Sequence, residues 1–353
     1  MIFSLGGAPP LDQVNSTALF AYGLRKLRTA YTGPCLRVRN SVGARGDLAF
    51  DANGEISTSS VVTITNAAGL FLVNSTHNLS EFANGGDVTV QTWYDQSSGA
   101  RHIIQGTVAN QPFLMQSGNF RLVDNKPSIY SPFTSKQLRY TGNCADYYNL
   151  VNNLGPLTIV KHSSTSIYFE SNQIGLWGVS NFTADSGGVC TTASSYYAFG
   201  VANNQVVNEA GIGIGTRANP NVLETCGLPY SACTVRSIIP IGSPFSSTLY
   251  DGGPSKIVSI TDDNGNKIVK SYINGSLSGT RGYECNLVRH PFINTASSFF
   301  FIGNVNTPVV PQSGAGVNID YSFQEFIAFN GTNYHAERSV IEQSMGRYYN
   351  VTV

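Results

Sequence analysis

Apolar residues along this chain fall mostly at alternate positions or in short runs between turn formers. The segment DVTVQTWYD, from Asp87 to Asp95, alternates most clearly and predicts a strand. CLRVRNS, from Cys35, predicts an exposed-edge strand, and GDLAFDANGEI predicts strand, Asn-Gly turn and strand. Residues 59–73, SSVVTITNAAGLFLV, combine β-branched runs with a turn. Between about 110 and 300 the pieces SIYFES, GLWGV, YYAFGV and SFFFIG stand out among Gly, Asn, Ser and Pro clusters. In KIVSITDDNGNKIVKSYINGSLSG, residues 256–279, two alternating runs flank an Asp-Asn-Gly turn and a second Asn-Gly ends the outgoing run. YSFQEFIAFNGT, from Tyr321, is a further alternating strand.

Two stretches carry a different period. In 16–31, STALFAYGLRKLRTAY, the residues Leu19, Phe20, Leu24, Leu27 and Tyr31 recur at three- and four-residue spacing. With Asn15 or Ser16 as cap, this predicts a helix. NYHAERSVIEQSMGRYYNV, from Asn333, places Val340, Ile341, Met345 and Tyr348 on one stripe, with Thr332 or Asn333 as cap. No repeat of 20–50 residues is visible, which disfavours solenoids and propellers. The pattern as a whole predicts an all-β fold, a sandwich or jelly roll with short helices near both termini. We read residues 1–353 as a single sandwich domain, with 1–14 as an N-terminal arm and 116–250 as an inserted or loop-elaborated region.

Composition narrows the partners. Only 12% of the 353 residues are charged and the formal net charge is zero, so no basic face exists to neutralise phosphates and nucleic acid is not an expected partner. A charge-poor surface rich in Asn, Gly, Ser and aromatics favours association with protein or sugar. No run approaches the roughly 20 apolar residues of a membrane span, and the N-terminus lacks the basic and apolar regions of a signal peptide. Neither membrane insertion nor a signal peptide is therefore expected. Six cysteines, Cys35, Cys144, Cys190, Cys226, Cys233 and Cys285, form no CxxC pair and have no histidine at zinc-finger spacing, so no metal site is expected. Cys226 and Cys233 are either a local bridge or, like the others, buried thiols.

The chemistry concentrates in TWYDQSSGARHIIQG, Thr92 to Gly106, where aromatics, a carboxylate, an amide and an Arg-His pair surround a Ser-Ser-Gly turn. As a structural corner, Asp95, Gln96, Arg101 and His102 would bond neighbouring backbone. As a sugar-contacting loop, Trp93, Tyr94 and Asp95, with Trp177 and the pair Tyr196 and Tyr197 elsewhere, would supply stacking faces and a hydrogen-bond acceptor. Asp262 and Asp263 read as solvated turn residues. A Ca²⁺ ion on DDNGN is conceivable chemistry, but the EF-hand spacing is missing, and no cofactor is expected. The chain has no G-x-S-x-G elbow, P-loop or H-E-x-x-H, and the Gly-rich GIGIGTRANP of 211–220 follows no βαβ pattern.

Together, AYGLRKLRTAYTGPCLRVRNS, GDLAFDANGEI and VTVQTWYDQSSGARHIIQ resemble the opening of the fungal and bacterial α-L-arabinofuranosidase B catalytic-domain family. The tail FQEFIAFNGTNYHAERSVIEQSMGRYYNV is similar to the closing strand and helix of LamG-like jelly rolls, a combination found in phage and viral structural proteins. The resemblance covers roughly 12–115 and 255–350. It implies a concanavalin A-like sandwich in which Asp95 caps its strand by receiving N–H bonds from QSSGA, while Trp93 or Tyr94 packs on the sheet. The family takes its nucleophile from a Glu in an Asp-x-Glu-Asn segment and its acid from an Asp after a Gly-Gly pair. Here the middle offers Glu170 without that segment, Asn304 or Val305 stands where the Asp belongs, and the family's Cys-Cys pair is absent. The expectation is therefore a protein without catalysis. The leading reading is a structural or adhesive component of a virus particle, at the virion surface, with other virion proteins, copies of itself and host-surface glycans as partners. The alternatives are a carbohydrate-binding module and an arabinofuranosidase-like glycoside hydrolase.

Overall fold

The computed structural model describes residues 7–131 and 136–140, the strands of the middle and late chain between 158 and 329, and residues 334–353. All strand pairings among them are antiparallel, and they sort into two ladders. The first runs through Ser276–Gly282, Ile268–Ile273, Lys256–Asp263 and Thr158–Ser163 to Tyr321–Phe329, whose far edge is shared by Ala18–Gly23 and Ile129–Ser131. The second runs through Thr76–Asn78, Val61–Asn66, Arg45–Leu48, Leu36–Asn40 and Val88–Trp93. It continues by way of Ile103–Ile104 into Gln137–Tyr140, Phe299–Val305, Ile174–Ser180, Tyr196–Asn204, Glu209–Arg217 and Ser237–Pro240. A single bridge, Tyr130 to Phe113, joins the ladders.

Aromatic rings fill the space between the two layers. Phe20 stacks on Phe326 at 5.5 Å, and Tyr22 meets both Phe326 and Trp93, from opposite ladders, at 6.3 and 5.7 Å. Fully burying each such ring stabilises by about 1.5–3 kcal/mol. The first ladder is covered on its other face by the helix Tyr334–Tyr349. Tyr334, Ile341, Met345 and Tyr349 of that helix cluster with Ala21, Ile257, Ile327 and Phe329. The buried stripe is thus Ile341, Met345 and Tyr349, at four-residue steps, whereas Val340 and Tyr348 lie half-buried beside it. The cap residues Thr332 and Asn333 lie outside the described residues.

The predicted helix over 16–31 does not form. Ala18–Gly23 is a strand paired with Tyr321–Phe329, and near the N-terminus the only described helical turn is the short 3-10 segment Pro10–Asp12. The reason lies in layer packing. Phe20 and Tyr22 face the opposite sheet while Ala21 faces the helix, so nearly every position of the strand is buried. A strand covered on both faces loses the period of two that identifies strands. Asp262 and Asp263 also differ from expectation, because they end the strand Lys256–Asp263, paired with Val269 and Ile268, rather than sitting in the turn. The following turn does take Asn274 and Gly275 into the left-handed region, at φ 48° and 78°, as an Asn-Gly hairpin requires. Cys35 is a buried free thiol, its pKa pushed well up by burial; the other cysteines, together with Glu170 and SIYFES, lie outside the described residues.

Candidate functional site

The chain from Trp93 to His102 turns off the second ladder and crosses the free edge of the strand Ala18–Gly23. Asp95, only 1% exposed, accepts four hydrogen bonds. Its Oδ1 takes the amides of Ala21 and Ser97 at 2.8 and 2.9 Å, and its Oδ2 takes the Ser97 hydroxyl and the Arg101 amide at 2.7 and 2.8 Å. Gln96 is equally committed. Its amide donates to Ala21 O at 2.8 Å, its Oε1 accepts from Leu27 N at 2.8 Å, and its Nε2 donates to Gly23 O and Arg25 O at 3.1 and 3.0 Å. Arg101 donates from Nη1 to Leu19 O at 2.9 Å, and the Tyr22 hydroxyl donates to Arg101 O. These two side chains replace a neighbouring strand. Buried backbone groups need partners, and here side-chain atoms of Asp95 and Gln96 supply them for the amides of Ala21 and Leu27 and the carbonyls of Gly23 and Arg25.

His102 completes the corner. Its Nδ1 accepts the Asp95 amide at 3.1 Å, which requires the neutral ring with its proton on Nε2. Burial lowers its pKa, with the nearby Asp95 charge opposing that shift. The ring stands edge-on to Tyr94 at 4.8 Å.

Tyr94 faces outward and is half-buried. Its hydroxyl donates to Asp47 Oδ1 at 2.8 Å, and Asp47 also receives Arg37 in a bidentate pair, both bonds at 2.8 Å. The Arg37 side chain is 36% exposed and that of Asp47 25%. Tyr31, half-buried, donates its hydroxyl to Pro34 O at 2.9 Å and stands edge-on to Phe50. Burial raises the pKa of both tyrosines; for Tyr94 the bond to Asp47 adds, and for Tyr31 the nearby Cys35, Asp95 and Tyr94 add. Both phenols are thus neutral donors at physiological pH. The result is a partly open patch of Tyr31, Tyr94 and His102 rings around an arginine-carboxylate fork.

Of the residues read from sequence as stacking faces, Trp93 is removed. It is fully buried, with its Nε1 turned to Gly23 O at 3.5 Å, so no ring face is free. Asp95 is likewise inaccessible to a ligand. Trp177, Tyr196 and Tyr197 lie on paired strands of the second ladder, and their side chains are outside the described residues. Tyr31, Arg37 and Asp47 were not singled out from sequence. The alternation of CLRVRNS and GDLAF does carry a signal for two of them, since it places Arg37 and Asp47 on the outward face of one hairpin. Among the described residues no group of three or more His, Cys, Asp or Glu side chains is placed to hold a metal ion.

No family model matches the chain, and no curated protein matches it. Solved structures do. A mutant α-L-arabinofuranosidase of glycoside hydrolase family 54, soaked with 4-nitrophenyl α-L-arabinofuranoside, is 11% identical with TM-score 0.52, over 96% of this chain and 64% of that one. An arabinofuranosidase complexed with arabinofuranosyl-α-1,2-xylobiose gives 11% identity, TM-score 0.51 and the same coverage of 96% and 64%. The CBM40 domain of the Ruminococcus gnavus IT-sialidase, bound to α2,3 sialyllactose, is 15% identical with TM-score 0.35, over 62% of this chain and 97% of that domain. The chain spans 64% of the length of the arabinofuranosidases it matches. The two arabinofuranosidase likenesses show the fold: the chain is a β-sandwich.

Proposed function

We propose that this sandwich binds carbohydrate without cleaving it, through the open patch of Tyr31, Tyr94, His102, Arg37 and Asp47. The observation that carries this reading is the pairing of half-exposed aromatic rings with a fixed, two-pronged polar group on one rigid face. Sugars present C–H faces that stack on rings and hydroxyls that bridge charged donors and acceptors, and binding sites commonly combine an apolar wall with a few placed polar groups. A fold does not by itself assign a function, so the resemblance to sugar-cleaving sandwiches is context only. Cleavage by a retaining mechanism needs two carboxyl groups about 5–5.5 Å apart, free to attack and to donate a proton. The carboxylates at this corner are occupied: Asp47 by Arg37 and Tyr94, Asp95 by four donors. The test is glycan-array screening followed by titration. Tyr94→Ala should weaken any hit about two- to tenfold, in line with the ~0.5–1.5 kcal/mol of a stacking contact beyond area burial. No hit at high micromolar concentration, or hits indifferent to Tyr94→Ala and Tyr31→Ala, would refute the proposal.

A second reading, assembly into a particle as a structural component, rests on a different feature. Val42, Leu70, Leu72 and Val73 are 55%, 93%, 68% and 53% exposed on adjoining loop tips, and such apolar exposure suits protein contact. Sedimentation of the full chain tests it, with a monomer at every concentration counting against self-assembly.

A further inference from the structure

Next to the aromatic patch, on the same outward face, two arginines form no ion pair with any carboxylate among the described residues. In the hairpin of Leu36–Asn40 and Arg45–Leu48, the residues Leu36, Val38, Gly46 and Leu48 are buried, which turns Arg37, Arg39, Arg45 and Asp47 outward. Arg37 pairs with Asp47 directly across the ladder. Arg39 is directly opposite Arg45. Like charges facing each other across strands destabilise a sheet, and here no carboxylate among the described residues forms an ion pair with either. The Nε of Arg45 is, in addition, buried without a hydrogen-bond partner, although an unmet buried donor on a charged group is costly. On the neighbouring strand Asn66, opposite Arg45, and Thr63, opposite Asp47, are both exposed. The arrangement is that of a receptor for an oxyanion: two outward guanidinium forks with an exposed amide beside them.

We infer that Arg39 and Arg45 bind the carboxylate or sulfate group of an acidic saccharide whose sugar ring lies on the Tyr94 patch. The inference rests on the carbohydrate reading above and deepens it. Arg39 is two residues along the strand from Arg37, about 7 Å, the separation between one sugar ring and a charged group on the neighbouring ring. Occupancy by an anion would relieve the repulsion between the two arginines.

The test is titration of the full chain, followed by NMR or calorimetry, with a uronic-acid-containing disaccharide, a 6-sulfated disaccharide, their neutral counterparts and inorganic sulfate as probes. The expected result is binding of the two acidic sugars at least tenfold tighter than their neutral counterparts and than sulfate alone. Arg45→Gln should abolish that preference, Arg39→Lys should preserve part of it, and rising salt should weaken it. Because Arg45→Gln removes a like-charge contact, its melting temperature in the absence of ligand should not fall, which separates loss of the site from loss of the fold. Equal binding of neutral and acidic sugars would overturn the inference while leaving the carbohydrate reading intact. Sulfate binding as tightly as the acidic sugars, still sensitive to Arg45→Gln, would overturn the saccharide assignment in favour of a simple anion site. Binding of no probe would overturn both.

Discussion

Consider the replacement Asp95→Ala. The carboxylate is 1% exposed and receives three backbone amides and one hydroxyl. Hydrogen bonds to a charged acceptor stabilise by about 1.5–3 kcal/mol each, so simple addition would give ~6–12 kcal/mol. That sum overstates the loss, because the donors differ in their access to water. Ser97 and Arg101 bracket the exposed residues Ser98, Gly99 and Ala100, and water can replace the carboxylate there. Ala21 is fully buried, and its amide would be orphaned at a cost of about 1–3 kcal/mol. Adding roughly 1 kcal/mol for each of the three re-solvated bonds gives about 4–6 kcal/mol, in the range of exceptional single-site losses. Asp95→Asn keeps one acceptor oxygen but turns an N–H₂ towards an amide donor, and should cost about half as much. Urea unfolding followed by tryptophan fluorescence measures both, with Trp93 packed beside the corner as reporter. The denaturation midpoint should fall with the slope unchanged. If Asp95→Ala lies within about 1 kcal/mol of the parent, the corner does not anchor the strand Ala18–Gly23 and the reasoning fails.

Two further outcomes follow from the same network. The folded-state pKa of His102 lies below that of the unfolded chain, so the unfolded state takes up the proton first as pH falls. The neutral-ring contribution is complete above about 6.5 and declines from there down to the folded pKa. Stability measured from pH 7.5 to 5 should therefore drop less steeply in His102→Gln, and identical slopes would contradict the neutral-acceptor assignment. Arg25 and Glu325 form a bidentate pair at 2.8 and 3.2 Å with side chains 6% and 0% exposed, and the Tyr349 hydroxyl also donates to Glu325. Arg25→Met leaves a buried carboxylate unpaired and should destabilise by about 3–5 kcal/mol. Adding Glu325→Gln should recover part of that loss, and a double variant as unstable as the sum of the singles would refute coupling across the pair.

Much of the strand layout was legible in the chain because one face of each such strand is wet. Leu36–Asn40, Val61–Asn66 and Val88–Trp93 show inward and outward residues in turn, and the Asn274-Gly275 turn announces its hairpin by a residue pair suited to left-handed backbone. The closing helix was legible for the same reason, with Ile341 and Met345 inward and Arg347 outward. The strand Ala18–Gly23 was not, because Phe20 and Tyr22 on one face and Ala21 on the other meet apolar neighbours, and a spacing of three to four then arises without any helix. The site divides in the same way. Tyr94, Asp95, Gln96 and His102 are contiguous, so their chemistry could be seen as a cluster. Tyr31, Arg37 and Asp47 come 47 to 63 residues earlier, and which of them Tyr94 touches depends on strand register.

Residue order alone thus determined the class of the fold, the hairpins and the position of the polar corner, since alternation, turn chemistry and local side-chain bonding act over a few residues. Only the tertiary structure decided that Ala18–Gly23 is extended, that Trp93 is sealed while Tyr94 is open, and that Arg39 faces Arg45 across a ladder. Those outcomes follow from the packing of one layer on another and from the pairing of distant strands, which no local pattern encodes.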